Sequence, residues 1–274
     1  CGNDFLIIEE ALAGRAHTEL ARRLCSRNTS VGADGIEFLD RDAKRPAGGD
    51  FFLRLFNADG SEAELSGNGT RCVAAWLAHS EGLNYVALGT HGGVRTCRVI
   101  EANGAQYLME SEMGVPRVMQ RTIELPGVGV IPGAMVNVGN PHFVLFVDRE
   151  DFGAHGLSWQ ELGAKISVSP LFPHGTNVEF VQVRSANEIA FRIFERGCGP
   201  TTSSGTGTCA SSAAAMALRG TARELTAIAE GGAQRTVWPA NDVGMQLTGP
   251  AEIVCEGEAL QADPPKVERE AEVF

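Results

Sequence analysis

Apolar residues in this chain fall in short runs separated by polar, glycine-rich turns, and both strand and helix periods are present. Leu6, Ile7 and Ile8 follow Gly2-Asn3-Asp4-Phe5, which predicts a β-strand entered through a Gly-Asn turn. Leu20, Ala21, Leu24 and Cys25 recur at helical spacing around Arg22 and Arg23, so 18–26 reads as a short amphipathic helix. Strands are expected over 36–39 and 51–56, with a charged surface loop over 40–50 between them and the turn Asn57-Ala58-Asp59-Gly60 after the second. A helix over 70–79 ends at Gly82, and strands over 85–88, 94–100 and 106–110 follow, punctuated by Gly92-Gly93 and Asn103-Gly104.

After Pro116 the same order of features recurs. Gly2-Asn3 returns as Gly139-Asn140, 137 residues later, and Gly35-Ile36-Glu37-Phe38 as Asn177-Val178-Glu179-Phe180, 142 residues later. Arg54-Leu55-Phe56 returns as Arg192-Ile193-Phe194 and Ser66-Gly67 as Ser204-Gly205, both at 138; His91-Gly92-Gly93 matches Glu230-Gly231-Gly232 at 139. Ordered landmarks at a nearly constant offset identify an internal duplication. The expected fold is α/β, of the α+β kind: two pseudo-symmetric domains, each a bent, mainly antiparallel sheet around a central helix, with a ligand cleft between them. The first domain is read as 1–116 and the second as 117–249. Residues 250–274 are expected to return to the first domain, with 264–274 a loose charged tail.

Length and charge narrow the function. A chain of 274 residues accommodates two domains. A net charge of -11 argues against nucleic acid or an anionic membrane surface as partner. No apolar run reaches the roughly 20 residues of a membrane span, and no leader pattern opens the chain, so a cytoplasmic protein is the expectation. The seven cysteines are an odd number without C-x-x-C spacing and read as reduced thiols; no spacing implies a metal.

The candidate chemistry sits in the turns. Ser66-Gly67-Asn68-Gly69-Thr70 and Ser204-Gly205-Thr206-Gly207-Thr208 each precede an alanine-rich, helix-length run. Such a turn aims unpaired backbone N–H groups outward, a seat for a carboxylate. Asn3, Asn57, Asn140, Asn177, Glu195 and Arg196 all follow apolar strands at landmarks of the repeat. Taken singly, a turn asparagine serves its own backbone and Glu195-Arg196 is a solvated pair; together in a cleft, Arg196 would bind a carboxylate and Glu195 an ammonium group. His142 is either a half-buried strand residue or a proton carrier.

These motifs resemble the diaminopimelate epimerases over almost the whole chain: Gly-Asn-Asp-Phe at 2–5, Gly-Ala-Asp-Gly at 32–35, Phe-Asn-Ala-Asp-Gly-Ser-Glu at 56–62, Gly-Asn-Gly-Thr-Arg-Cys at 67–72, Gly-Asn-Pro-His at 139–142, Thr-Asn-Val-Glu-Phe at 176–180, Glu-Arg-Gly at 195–197 and Gly-Thr-Gly-Thr-Cys-Ala at 205–210. The resemblance implies a cofactor-free isomerase that inverts an α-carbon of diaminopimelate for lysine and cell-wall synthesis, commonly as a homodimer. It implies substrate contacts at Asn3, Asn57, Asn140, Asn177, Glu195 and Arg196, with Gly67, Asn68, Gly205 and Thr206 around the reacting carboxylate. His142 and Glu195 resemble the residues that tune the two catalytic groups. The family's paired catalytic cysteines align with Ser66 and Ser204, and Pro200 stands where the family commonly has Glu. Cys72, Cys198 and Cys209 lie beside these positions and read as buried small residues or incidental thiols. A hydroxyl needs a neighbouring base. Three readings are therefore open: an isomerase or lyase on a related acid, with the serines assisted by His142 or Glu195; a catalytically impaired variant; and a relative that only binds an amino acid.

Overall fold

The computed structural model describes residues 1–14, 16–42 and 48–260. The loop expected over 40–50 is therefore described only at its ends, and the tail at 264–274 lies outside the described residues.

The first half runs β1 (Phe5–Glu9), α1 (Glu10–Ala13), α2 (His17–Leu24), β2 (Gly35–Asp40), β3 (Phe51–Asn57), β4 (Glu62–Ala63), α3 (Gly67–Glu81), β5 (Tyr85–Thr90), β6 (Gly93–Asn103) and β7 (Gln106–Glu112). A hairpin follows, β8 (Arg117–Leu125) and β9 (Gly129–Asn137). The order then repeats with β10 (Pro141–Phe146), α4 (Trp159–Ser167), β11 (Asn177–Ser185), β12 (Glu188–Glu195), β13 (Gly199–Thr201), α5 (Gly205–Leu218), β14 (Glu224–Ala229), β15 (Gly232–Val237) and β16 (Gln246–Glu252).

Pairing repeats as well. β1 lies parallel to β2 with Phe5 opposite Gly35, and β10 lies parallel to β11 with His142 opposite Asn177. β2 to β3 and β11 to β12 are antiparallel, β3 to β5 and β12 to β14 parallel. Antiparallel pairing of β7 with β16 joins the two arrays into one continuous sheet among the described residues. In that pairing Gln246 faces Glu112 and Glu252 faces Gln106.

Each array wraps a helix. Val73, Ala74, Ala75 and Leu77 of α3 pack against Leu39, Leu53, Leu88 and Met109. Cys209, Ala210, Ala213 and Ala214 of α5 pack against Val144, Val181, Phe191 and Leu247. Small side chains on α5 let strands approach it on several sides, which is why its burial is nearly complete. On the outer face α2 covers Ile36 and Phe38 of β2, and α4 covers Val178 and Phe180 of β11. Both strands are thus enclosed on two faces, and every position of β2 is buried.

Three features depart from expectation. The helix placed at 70–79 begins at Gly67, because Ser66 caps it by accepting a hydrogen bond from Gly69 N at 3.0 Å. The helix α4 and the β8–β9 hairpin were not anticipated; Ser158 and Glu161 form a capping box that marks the start of α4. Of the three thiols read as buried small residues or incidental thiols, Cys209 is buried, Cys72 half-buried and Cys198 exposed at the turn after β12, within that reading; all seven cysteines are free thiols. No helix among the described residues is long and apolar enough to cross a membrane.

Candidate functional site

The two capped helix starts meet head-on. A methyl group added to Gly67 would lie 3.5 Å from Gly205 Cα, and one added to Gly205 would lie 3.3 Å from Gly67 Cα. The first distance is ordinary contact and the second is tight, so glycine at Gly205 eases the approach, which brings the free N–H groups of both helix starts close together. Ser204 repeats the cap of Ser66, accepting from Gly207 N at 3.2 Å.

A cleft of about 570 Å³ opens over this junction. Asn3, Asn57, Ser66, Gly67, Asn68, Asn140, Asn177, Glu195, Arg196, Ser204, Gly205 and Thr206 all line it. Twelve positions scattered along the chain are thereby brought to one wall system. His142 is absent from the lining: it is buried beneath Asn140. Its Nε2 lies 2.8 Å from Asn140 Oδ1 and its Nδ1 lies 2.6 Å from Glu179 Oε1. An amide oxygen only accepts, so Nε2 carries the proton in this arrangement. Burial pushes the Glu179 carboxyl up, which favours a neutral acid facing Nδ1. His142 thus orients Asn140, whose Nδ2 donates to Thr206 Oγ1 at 3.4 Å.

The other wall mirrors this chain of contacts with one link replaced. Asn68 Nδ2 donates to Asn3 Oδ1 at 2.7 Å and Asn3 Nδ2 to Asp34 Oδ2 at 2.9 Å. The register places Phe5 where the second half has His142, and Glu37 where it has Glu179. Glu37 is 2% exposed, its Oε1 has no hydrogen-bond partner, and burial lifts its pKa to about 8. Its carboxyl fills the space where a side chain on Gly69 would stand, 1.9 Å from that ideal Cβ.

The charged groups differ between the walls. Glu195 accepts from Thr201 Oγ1 at 2.5 Å and is also bonded by the Ser204 hydroxyl. Burial raises its pKa, and those two hydrogen bonds pull it partly back. Register places Asn57, an uncharged residue bonded to Ser61 Oγ at 3.0 Å, at the equivalent position of the first half. Asn177 is held between Pro141 O at 3.1 Å and Arg196 N at 2.9 Å. The Arg196 side chain is exposed, with Nη1 donating to His174 O at 3.2 Å.

Sequence reasoning passed over Asp34, Arg95, Thr201 and Ser203, which also line the cleft, and Glu37, Arg71 and Glu179, which lie behind it. Asp34, Arg71 and Glu179 stood inside quoted motifs and Glu37 inside a landmark of the repeat; Arg95, Thr201 and Ser203 carry no local signal, because their neighbours come from distant strands. Among the described residues no group of three His, Cys, Asp or Glu side chains converges as a metal site.

A family profile described as diaminopimelate epimerase matches residues 1–119 and 134–254. The diaminopimelate epimerase of Halothermothrix orenii is 37% identical over 94% of this chain and 95% of its own, and that of Trichodesmium erythraeum is 35% identical over 93% and 95%. Among solved structures, a phenazine biosynthesis protein of the PhzF family from Bacillus anthracis superposes with TM-score 0.66 at 15% identity, covering 92% of each chain. A hydroxyproline epimerase from Agrobacterium vitis superposes with TM-score 0.61 at 17% identity, covering 86% of this chain and 77% of its own. The structural likenesses speak for the fold.

Proposed function

Because the chain belongs to the diaminopimelate epimerase family, we propose that it is an amino-acid isomerase that moves the α-proton of diaminopimelate, LL to meso, without a cofactor. The observation that carries this reading is the meeting of two capped helix starts, Gly67 against Gly205, at the floor of one cleft. An α-carboxylate seated there accepts from backbone N–H groups of both halves, and the macrodipoles of α3 and α5 add to its stabilisation. Ser66 and Ser204 then flank the α-carbon from opposite sides. Arg196 suits the distal carboxylate as a bidentate donor, with Asn57 and Asn177 beside it. The same reading takes 1–116 with 250–274, and 117–249, as two domains that close on the ligand. It places the protein in the cytoplasm, as a homodimer, in lysine synthesis.

The hydroxyls divide the labour unequally. Ser204 has a carboxylate partner in Glu195, whose pKa burial raises, making it a stronger base than an exposed carboxylate. The α-proton passes to Glu195 by way of the Ser204 hydroxyl, which gives up its own proton as it receives the new one. Ser66 returns a proton to the opposite face; the resulting alkoxide, stabilised by the Gly69 N–H, takes a proton from water, and the hydroxide so formed takes the proton held by Glu195, which restores both groups. A second reading, binding without turnover, draws on the hydroxyls themselves, which are far weaker acids than thiols.

Heavy-water exchange with LL- and meso-diaminopimelate separates the two. Deuterium at the α-carbon with interconversion of the isomers is expected, and Glu195→Gln should slow it by at least about 100-fold. Absence of exchange combined with thermal stabilisation, about 2.7 kcal/mol at 100 times the dissociation constant, would replace isomerisation by binding alone. Absence of both would end the diaminopimelate reading.

A further inference from the structure

Behind the helix junction lies a charge that no part of the reaction just described uses. Arg71, in the second turn of α3, is 1% exposed. Its guanidinium donates to Pro250 O at 3.1 Å, Asn68 Oδ1 at 2.8 Å and Cys1 Sγ at 3.5 Å. With its amide oriented to satisfy both neighbours, Gln234 donates to Thr208 Oγ1 at 2.7 Å and accepts from Arg71 Nη1 at 3.1 Å and Nη2 at 3.0 Å. All of these acceptors are neutral, and among the described residues no carboxylate pairs with Arg71. The thiols of Cys72, Cys97 and Cys209 lie within its field, but burial pushes each of them up and so keeps them uncharged.

Burying a guanidinium without a counter-charge is costly, and burial accordingly lowers its pKa. An apolar residue of similar size, or a carboxylate at Gln234, would relieve that cost. Arg71 also contacts the cleft through one side chain: Asn68, which lines the cleft, accepts from it and passes its own amide hydrogens to Asn3 and Ser203.

We propose that Arg71 is a positioning residue that keeps an uncompensated positive charge behind the carboxylate seat, acting through Asn68 and the start of α3. Its counter-charge is the ligand. The effect is largest when the α-proton has left, because the electron pair then delocalises into the carboxylate and makes it a dianion. This rests on the isomerase reading for its catalytic consequence, while its electrostatic content stands apart from any substrate.

Gln234→Glu tests it by supplying the missing carboxylate without removing Arg71. The field is read by a thiol placed at the helix start, Ser66→Cys, whose alkylation by iodoacetamide is followed against pH by peptide mass spectrometry. The thiol should titrate below the ordinary value of about 8.5. Adding Gln234→Glu should raise it by about one unit, with at least an equal melting temperature. The affinity of the Gln234→Glu protein for meso-diaminopimelate should fall about tenfold, which is about 1.4 kcal/mol. A purely structural role would move stability and affinity in the same direction. Should Gln234→Glu fail to fold, Arg71→Gln and Arg71→Lys on the Ser66→Cys background make the same comparison, with only lysine preserving the lowered titration. An unchanged thiol titration in the neutralised protein overturns the proposal. A wild-type protein that ignores diaminopimelate overturns the isomerase reading instead, and the thiol still decides the role of Arg71.

Discussion

At the scale of single residues, burial rather than residue type separates Glu37 from the many other carboxylates. A carboxyl with pKa about 8 in the folded protein and about 4.5 outside it binds more protons when folded. Its effect on stability is therefore absent below the unfolded value, and stability is lost as pH rises from there through about 8. The loss then levels off at a magnitude on the order of a few kcal/mol. Glu37→Gln should remove that decline. Urea midpoints of the two proteins should run close together at pH 5 and separate by pH 9 with the glutamine variant higher; parallel curves would show that Glu37 titrates normally. Glu179 has the same burial but a histidine facing it at 2.6 Å, which opposes the upward push of burial on its carboxyl. One substitution between the repeats, Phe5 for His142, gives two equivalent glutamates different surroundings.

Among the elements, helix starts do most to place the site. Ser66, Ser158 and Ser204 each accept from the backbone N–H three residues on, but only Ser66 and Ser204 open into the cleft. Ser158→Ala removes a cap remote from the chemistry and should cost about 1 kcal/mol, seen as a lower urea midpoint with ligand affinity unchanged. A change in affinity would mean that α4 transmits to the cleft. The starts of α3 and α5 were legible because Ser-Gly-x-Gly is local chemistry: a capping hydroxyl and glycines that admit close approach. The α4 start had an equally local signal in Ser158 and Glu161, which went unused beside the stronger glycine motifs. The glutamate of Gly35-Ile36-Glu37-Phe38 was not legible as a buried acid. Strand alternation sends such a residue toward solvent, whereas α2 and α3 cover both faces of β2.

For the whole molecule, continuity of the sheet depends on β16, which lies between β7 and β15 and buries Leu247. Pro250 O within it also accepts from Arg71 Nε. Ending the chain after Met245 should expose two strand edges and lower the melting temperature by more than about 10 °C; a truncated protein that melts like the full one would show that the two halves hold without the shared strand. The sequence alone determined that the chain is a repeat, where its turns fall, and which residues belong to the family's motifs, because each of these depends on residues adjacent along the chain or on their recurrence. Tertiary structure decided what recurrence cannot: that Gly67 meets Gly205, that Ser204 has the carboxylate of Glu195 as a partner, that His142 lies behind the cleft, and that Arg71 is sealed without a counter-charge among the described residues. Apart from the Glu195–Ser204 contact, which the turn after β12 folds together, these are contacts between segments more than a hundred residues apart or consequences of burial, and burial is set by everything that packs around a group.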